Sequence, residues 1–421
     1  MMFNRRDIKF TDVPPSPQVW GSTASPGNIE NTSSKNKNIL PQSPRIGDGG
    51  TPGTTQLSDL HSPNFPTHET SEAIGEASTQ QGSLLSVRNL SLEFRTRTGT
   101  VSALESISFH INPSETVGIV GESGSGKSVL ALAIMGILDP AAHITSGEIL
   151  WQSPADQQPS GTYDLLKMPE KKLRQLRGKS LSMIFQTPRT ALNPIRKVGK
   201  QLVDVLRCHT NLPKNQLKPR ALELLASVKI PDPQQRYNAY PYELSGGLCQ
   251  RIMIALAIAC SPQLLIADEP TTGLDVTTQA TVMNLLKELA VQQQMATVVI
   301  THDLALASEY CDRILVMHAG HLIESAPTRT LFEAPAHPYT AKLIAATPEP
   351  HKGFDDLVPI LGNLPDLRRE DLPPCRFISR CDRATEQCFN TSLQQQQLTK
   401  DHQVACWHPV NNDERGRMND E

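Results

Sequence analysis

Apolar and polar residues begin to alternate at Leu84. LLSVRNLSLEFRT and ALESISFHI carry the period of two that half-buried strands show, with a turn expected around Gly99. TVGIVG, at 116–121, is a short β-branched run ending in glycine, and a helical pattern follows from Lys127 to about Leu138. Three further runs, at 180–186, 264–268 and 296–302, are continuously apolar and end in polar residues, as strands buried on both faces do. Four such strands with helices between them predict an α/β fold with a mainly parallel core sheet and functional residues at the strand ends. A polar, helix-prone stretch over about 195–260 reads as a helical insertion, and RILVMHAGHLIE as a hairpin turning at Ala319-Gly320. From about Ala334 the chain turns Pro-rich, which marks a C-terminal appendage. The expected division is a leader at 1–83, a main domain at 84–335 and a C-terminal domain at 336–421. The core sheet is expected to close its own core without the tail.

The leader is rich in Ser, Thr, Pro, Asn, Gly and Gln and has no sustained period, so it cannot bury enough apolar surface to offset its ordering entropy. A chain of 421 residues with 38% hydrophobic and 20% charged residues has ample material for two domains. Its formal net charge of -3 supplies no general attraction to nucleic acid or anionic lipid, and no nucleic-acid partner is expected. No apolar run reaches the length of about 18 residues that a spanning helix needs. The start, MMFNRRDIKFTDVPP, lacks the apolar segment of a secretory signal, which points to the cytoplasm.

Chemistry concentrates at the first buried strand. Gly121-Glu122-Ser123-Gly124-Ser125-Gly126-Lys127-Ser128 fits GxxxxGK[ST] between a predicted strand and a predicted helix. The glycines let backbone N–H groups wrap a phosphate at a helix N-terminus, Lys127 reaches the β/γ-phosphates, and Ser128 holds Mg²⁺. LLIADE, at 264–269, brings Asp268 to that metal and puts Glu269 beside it, where it can polarise the attacking water. A helix-opening acid before Pro270 is the plainer reading of Glu269.

These motifs resemble those of ABC ATPases. LSGG, comprising Leu244, Ser245, Gly246 and Gly247, looks like the family's signature. Gln186 looks like its Q-loop glutamine and a metal contact, TTGLD with Asp275 like its D-loop, and His302 like its switch histidine. The resemblance covers roughly residues 84–345. It implies a P-loop NTPase with an N-terminal antiparallel β subdomain and an inserted helical subdomain, hydrolysing ATP with Mg²⁺. The ATP is then sandwiched between two such domains, each lending its signature to the other's phosphate loop. Leu248 and Cys249 depart from the family pattern without removing a phosphate donor. No aromatic is assigned to the adenine, Phe94 standing too far upstream of the loop.

LNP at 192–194, YPYELSGG at 240–247, HPYT at 337–340 and PPCRFISRC in the tail are similar to the importers of oligopeptides, dipeptides and nickel. That resemblance implies two integral-membrane permease subunits, a second ATP-binding subunit and, indirectly, an extracytoplasmic solute-binding protein. The chain would then sit on the cytoplasmic face of the inner membrane, with peptides as cargo and nickel as the alternative. A soluble ABC ATPase acting on DNA repair or translation is the rival from another class, though one P-loop and no sustained heptads oppose it. Cys375, Cys381, Cys388 and Cys406, spaced C-x5-C-x6-C-x17-C, suit an iron-sulfur cluster, a zinc ion, or packing as small hydrophobes. Cys208, Cys249, Cys260 and Cys311 read as ordinary core or surface residues.

Overall fold

The structure, a computed structural model, describes residues 82–97, 99–153, 161–348 and 358–410. The leader expectation, except at its very end, lies outside the described residues. Along the chain the strands are β1 (Leu85–Thr96), β2 (Gly99–Ile111), β3 (Thr116–Val120), β4 (Ala142–Ser153), β5 (Gly161–Asp164), β6 (Leu181–Ile184), β7 (Leu264–Asp268), β8 (Ala296–Thr301), β9 (Arg313–His318), β10 (His321–Pro327), β11 (Gln396–Thr399) and β12 (His402–Val404).

The first two strands pair antiparallel, Leu85 opposite Ile111, and β4 then β5 complete a small sheet in the order β2-β1-β4-β5. The alternation of β1 breaks at Arg88 and Asn89, both exposed; the register shifts there and Asn89 takes φ 46°. An extra residue in one strand restores the inward face beyond it. The sequence pattern does not reveal β4 and β5. Gly147 and the adjoining polar residues hide the period of β4, and Leu150 with Trp151 shows only a short apolar signal.

The larger sheet runs β11-β12-β10-β9-β3-β8-β7-β6. β6, β7, β8, β3 and β9 are mutually parallel, and β10 returns antiparallel to β9. Ala319 and Gly320 both take positive φ, 47° and 85°, as a two-residue hairpin turn requires. Successive residues of the buried strands serve opposite cores: Leu264 and Ile266 pack with the antiparallel subdomain, Leu265 and Ala267 with the helical insertion. This double burial explains why these strands read as unbroken apolar runs.

The helix Lys127–Met135 stops before the expected Leu138 because Gly136 enters the left-handed region at φ 64° and donates its N–H to the Ala133 carbonyl. The insertion holds the helices Val198–His209, Lys214–Ser227 and Gly246–Ile258, with shorter turns between them.

The tail corrects one expectation. Far from leaving the core sheet to close by itself, it contributes Cys375, Phe377, Ile378, Cys388 and Tyr339 to the same cluster as Val120, Ile184 and Val316. Its strands also extend the sheet edge beyond β10. Glu324, fully buried on β10, accepts the Ala336 and His337 N–H groups at 2.7 and 2.8 Å and lies 2.8 Å from His402 Nε2. A buried carboxylate is costly unless so satisfied. These contacts tie two stretches of the tail, at 336–337 and at His402, to the sheet.

Candidate functional site

β3 delivers the chain into the loop 121–126, whose shape depends on glycine. At Gly121, φ is 151° and a Cβ would lie 2.1 Å from the Met317 carbonyl oxygen. Gly126, at φ 102°, would press a Cβ to 2.9 Å from Ala103 O and Leu104 Cδ2. Gly126 also caps the helix that starts at Lys127. Lys127 Nζ donates to the carbonyls of Gly121 at 2.7 Å and Glu122 at 2.9 Å, so the ammonium is held inside the loop. Burial pushes its pKa down, against the opposing charges of Glu269, Asp268 and Glu122.

Across the loop, Ser128 Oγ donates to Asp268 Oδ1 at 3.0 Å. Asp268 is buried at the end of β7, and that burial raises its pKa while the Ser128 bond lowers it. A hydroxyl and a buried carboxylate so paired are hard oxygen ligands suited to Mg²⁺.

Glu269 follows in the left-handed region at φ 45°, an uncommon conformation for glutamate and one found at functional positions. Its N–H is held by Ile300 O at 2.9 Å. Gln186 Nε2 and Thr272 Oγ1 both donate to its Oε2 at 2.7 Å, and His302 Nδ1 lies 3.4 Å from Oε1. Burial pushes this carboxyl up, but the three hydrogen bonds outweigh it and the pKa is lowered. Gln186, Glu269 and His302 follow β6, β7 and β8, so the ends of three neighbouring parallel strands converge on one carboxylate beside the phosphate loop. The resemblance to ABC ATPases pointed to Gln186 and His302; Thr272 stood in the quoted TTGLD without a role.

Ser245 is exposed at the N-cap of Gly246–Ile258, and its Oγ accepts the Leu248 N–H at 3.4 Å. A Cβ on Gly246 would meet open space, so the helix N-terminus is accessible, whereas Leu244 is buried beneath it. Among the described residues, the hydrogen bonds of Ser245 run to Leu248 and Cys249 and not to 121–128. Cys249 is fully buried and its thiol donates to Pro241 O at 3.4 Å, which accounts for an uncharged residue there. Asp275 caps Val276–Gln293, accepting the Thr278 N–H at 3.0 Å and its hydroxyl at 2.7 Å.

Cys375, Cys381, Cys388 and Cys406 line one small cavity together with His337, Trp407 and His408. Among the described residues, no three His, Cys, Asp or Glu side chains converge as a single metal ion requires. Burial pushes the thiols of Cys375 and Cys406 up to about 11 and about 12. Of the other cysteines, Cys311 is buried, Cys260 partly buried and Cys208 exposed, all free.

Sequence reasoning missed a contact from the tail. Arg380 grips Glu122 through both carboxylate oxygens, at 2.7 and 2.8 Å. Both residues stand in motifs quoted above, but 258 positions separate them and no periodicity links them.

The ABC transporter family matches residues 104–272, and the oligopeptide/dipeptide transporter C-terminal region matches 323–388. The dipeptide transport ATP-binding protein DppD of Haemophilus influenzae is 43% identical over 78% of this chain and 96% of its own length. DppD of Escherichia coli K12 is 42% identical over 79% and 98%. Among solved structures, a dimeric ATP-binding cassette in a post-hydrolysis state with ADP and Pi aligns at TM-score 0.51 and 26% identity. That alignment covers 58% of this chain and 99% of the cassette. A glycine-shaped phosphate loop, an acidic strand end and a helix-capping LSGG thus occur in a chain whose relatives match it over nearly their full lengths: the protein belongs to the ATP-binding subunits of ABC transporters.

Proposed function

We propose that this chain binds and hydrolyses ATP to power import of dipeptides or oligopeptides. It would work at the cytoplasmic face of the membrane with a second ATP-binding subunit, two permease subunits and, through them, an extracytoplasmic solute-binding protein. The convergence of Gln186, Thr272 and His302 on Glu269, next to the Ser128–Asp268 pair, is the observation that carries the reading. Among the described residues no helix is long and apolar enough to cross a membrane. The named relatives and the match of the C-terminal region favour peptides over nickel.

Ser128, Asp268 and Gln186 would hold Mg²⁺, which supplies charge neutralisation at the β- and γ-phosphate oxygens. Lys127 exchanges the Gly121 and Glu122 carbonyls for phosphate oxygens. Glu269, kept ionised by its three donors, orients the attacking water and accepts its proton. His302, exposed beside it, can then turn a ring N–H toward the γ-phosphate. Ser245 and the first N–H groups of its helix would meet the partner's ATP, where a helix N-terminus favours negative charge. Loss of that shared ligand on hydrolysis separates the pair.

The trans role has a direct test. Ser245→Arg should leave ATP binding by the single chain unchanged and abolish ATP-driven dimerisation measured by light scattering. Dimerisation equal to wild type would contradict the sandwich.

A second reading concerns the tail. Four cysteines line one cavity, and four thiolates are the donor set of an iron-sulfur cluster. Anaerobically purified protein should then contain iron, absorb broadly near roughly 400 nm, and lose both when any one of the four becomes Ser. Colourless protein without iron would refute the cluster, and one zinc per chain would replace it with a structural ion.

A further inference from the structure

We propose that the C-terminal region supplies two positioning residues to the phosphate loop, Arg380 and Tyr339, so that nucleotide affinity is set from the cysteine-bearing segment. The inference rests on the reading of 121–128 as the nucleotide site.

Glu122 is the second residue of that loop, and its three polar handles are all engaged. Its carboxylate receives both guanidinium nitrogens of Arg380 at 2.8 and 2.7 Å, its N–H donates to the Tyr339 hydroxyl at 3.1 Å, and its carbonyl accepts Lys127 Nζ at 2.9 Å. Two of its four fasteners come from the tail. The others lie within the loop, the Ser125 N–H, which reaches the same carbonyl at 3.2 Å, and the lysine that must turn to phosphate.

Arg380 is built in rather than draped over the surface. Its side chain is 3% exposed, Nε donates to Leu361 O at 3.0 Å, and the guanidinium stacks over Phe377 with 5.7 Å to the ring centroid. Phe377 and Tyr339 pack edge to face at 5.3 Å, and His318, held neutral by burial with a pKa of about 4, closes the layer at 4.6 Å from Tyr339. The Arg380 bonds hold the Glu122 carboxyl below its usual range. A bidentate pair with its guanidinium buried is stronger than a fully exposed ion pair and fixes direction as well as distance.

Arg380 immediately precedes Cys381, and the segment that carries it begins at Cys375. Both cysteines line the tail cavity, so any displacement of this short span shifts the guanidinium and, through Glu122, the carbonyl that parks Lys127. The tail therefore acts on the loop's geometry and not on the reacting atoms.

The test uses the full-length chain, a fluorescent ATP analogue for affinity, and ATP turnover in the assembled transporter. Arg380→Ala and Glu122→Gln should each weaken analogue binding by about tenfold, the scale of losing one charge-assisted contact, while the double variant is no weaker than either alone. For Arg380→Ala, KM for ATP should rise with kcat near wild type, whereas a merely structural role would lower the active fraction and leave KM alone. Arg380→Lys, which keeps the charge but not the fork, should recover part of the affinity. Should Arg380→Ala fail to fold, Glu122→Gln and Arg380→Lys carry the comparison. Wild-type affinity in the folded single variants, or additive losses in the double variant, would overturn the inference. Failure of the wild type itself to bind the analogue would instead refute the nucleotide reading beneath it.

Discussion

Glu269→Gln should reduce ATP turnover by at least about 10²-fold, the scale of removing a positioned base, while leaving ATP binding nearly intact. The amide keeps the size of the side chain and can still accept from Thr272, so the loop after β7 has no reason to collapse. What it loses is the negative charge that Gln186, Thr272 and His302 hold at the end of the sheet. With ATP bound and not cleaved, the two ATP-binding subunits should stay closed, visible as a long-lived dimer. Turnover close to wild type in the assembled transporter would remove Glu269 from this role.

Lys127→Ala should fail earlier, at binding. Removing an ammonium that bonds a charged ligand costs about 1.5–3 kcal/mol, hence about 10- to 100-fold in affinity, and transport should stop with it. The loss has a second source in this chain. Lys127 Nζ also bonds the carbonyls of Gly121 and Glu122, so the variant removes two hydrogen bonds that shape the loop as well. Titration of nucleotide against the folded variant separates the two substitutions: Glu269→Gln binds without turnover, and Lys127→Ala binds weakly or not at all. Equal affinity for both would contradict the assignment of Lys127 to phosphate.

The parts of this site that could be read from the sequence are local. Gly121 to Ser128 announces itself because the turn into a helix demands particular residues in fixed order, and the buried strands because double burial demands unbroken apolar runs. Asp268 and Glu269 were legible one step further on, since a parallel sheet brings the ends of buried strands to one side, whereas Gln186 and His302 were named only through the resemblance to ABC ATPases. The backbone strain at Glu269 left no mark in the sequence, as nothing in LLIADEP forces φ to 45°. Nor did the Arg380–Glu122 clamp, because an ion pair across the fold requires only one charge on each side. The tail misled for a related reason. Its β12 pairs with β10 through only two register positions, too few to produce a strand pattern, although it buries Val404 and His402. Its Pro-rich look concealed residues that complete the core beside the phosphate loop.

The central claim is that ATP hydrolysis by this chain drives peptide import, and uptake of a labelled dipeptide tests it most directly. Cells lacking the chain would be supplied with the wild type or with Glu269→Gln at equal abundance, and labelled nickel would be followed in parallel. Dipeptide uptake should return with the wild type and stay absent with Glu269→Gln. Restored uptake in the Glu269→Gln cells, or restored nickel uptake with no dipeptide uptake, would contradict it.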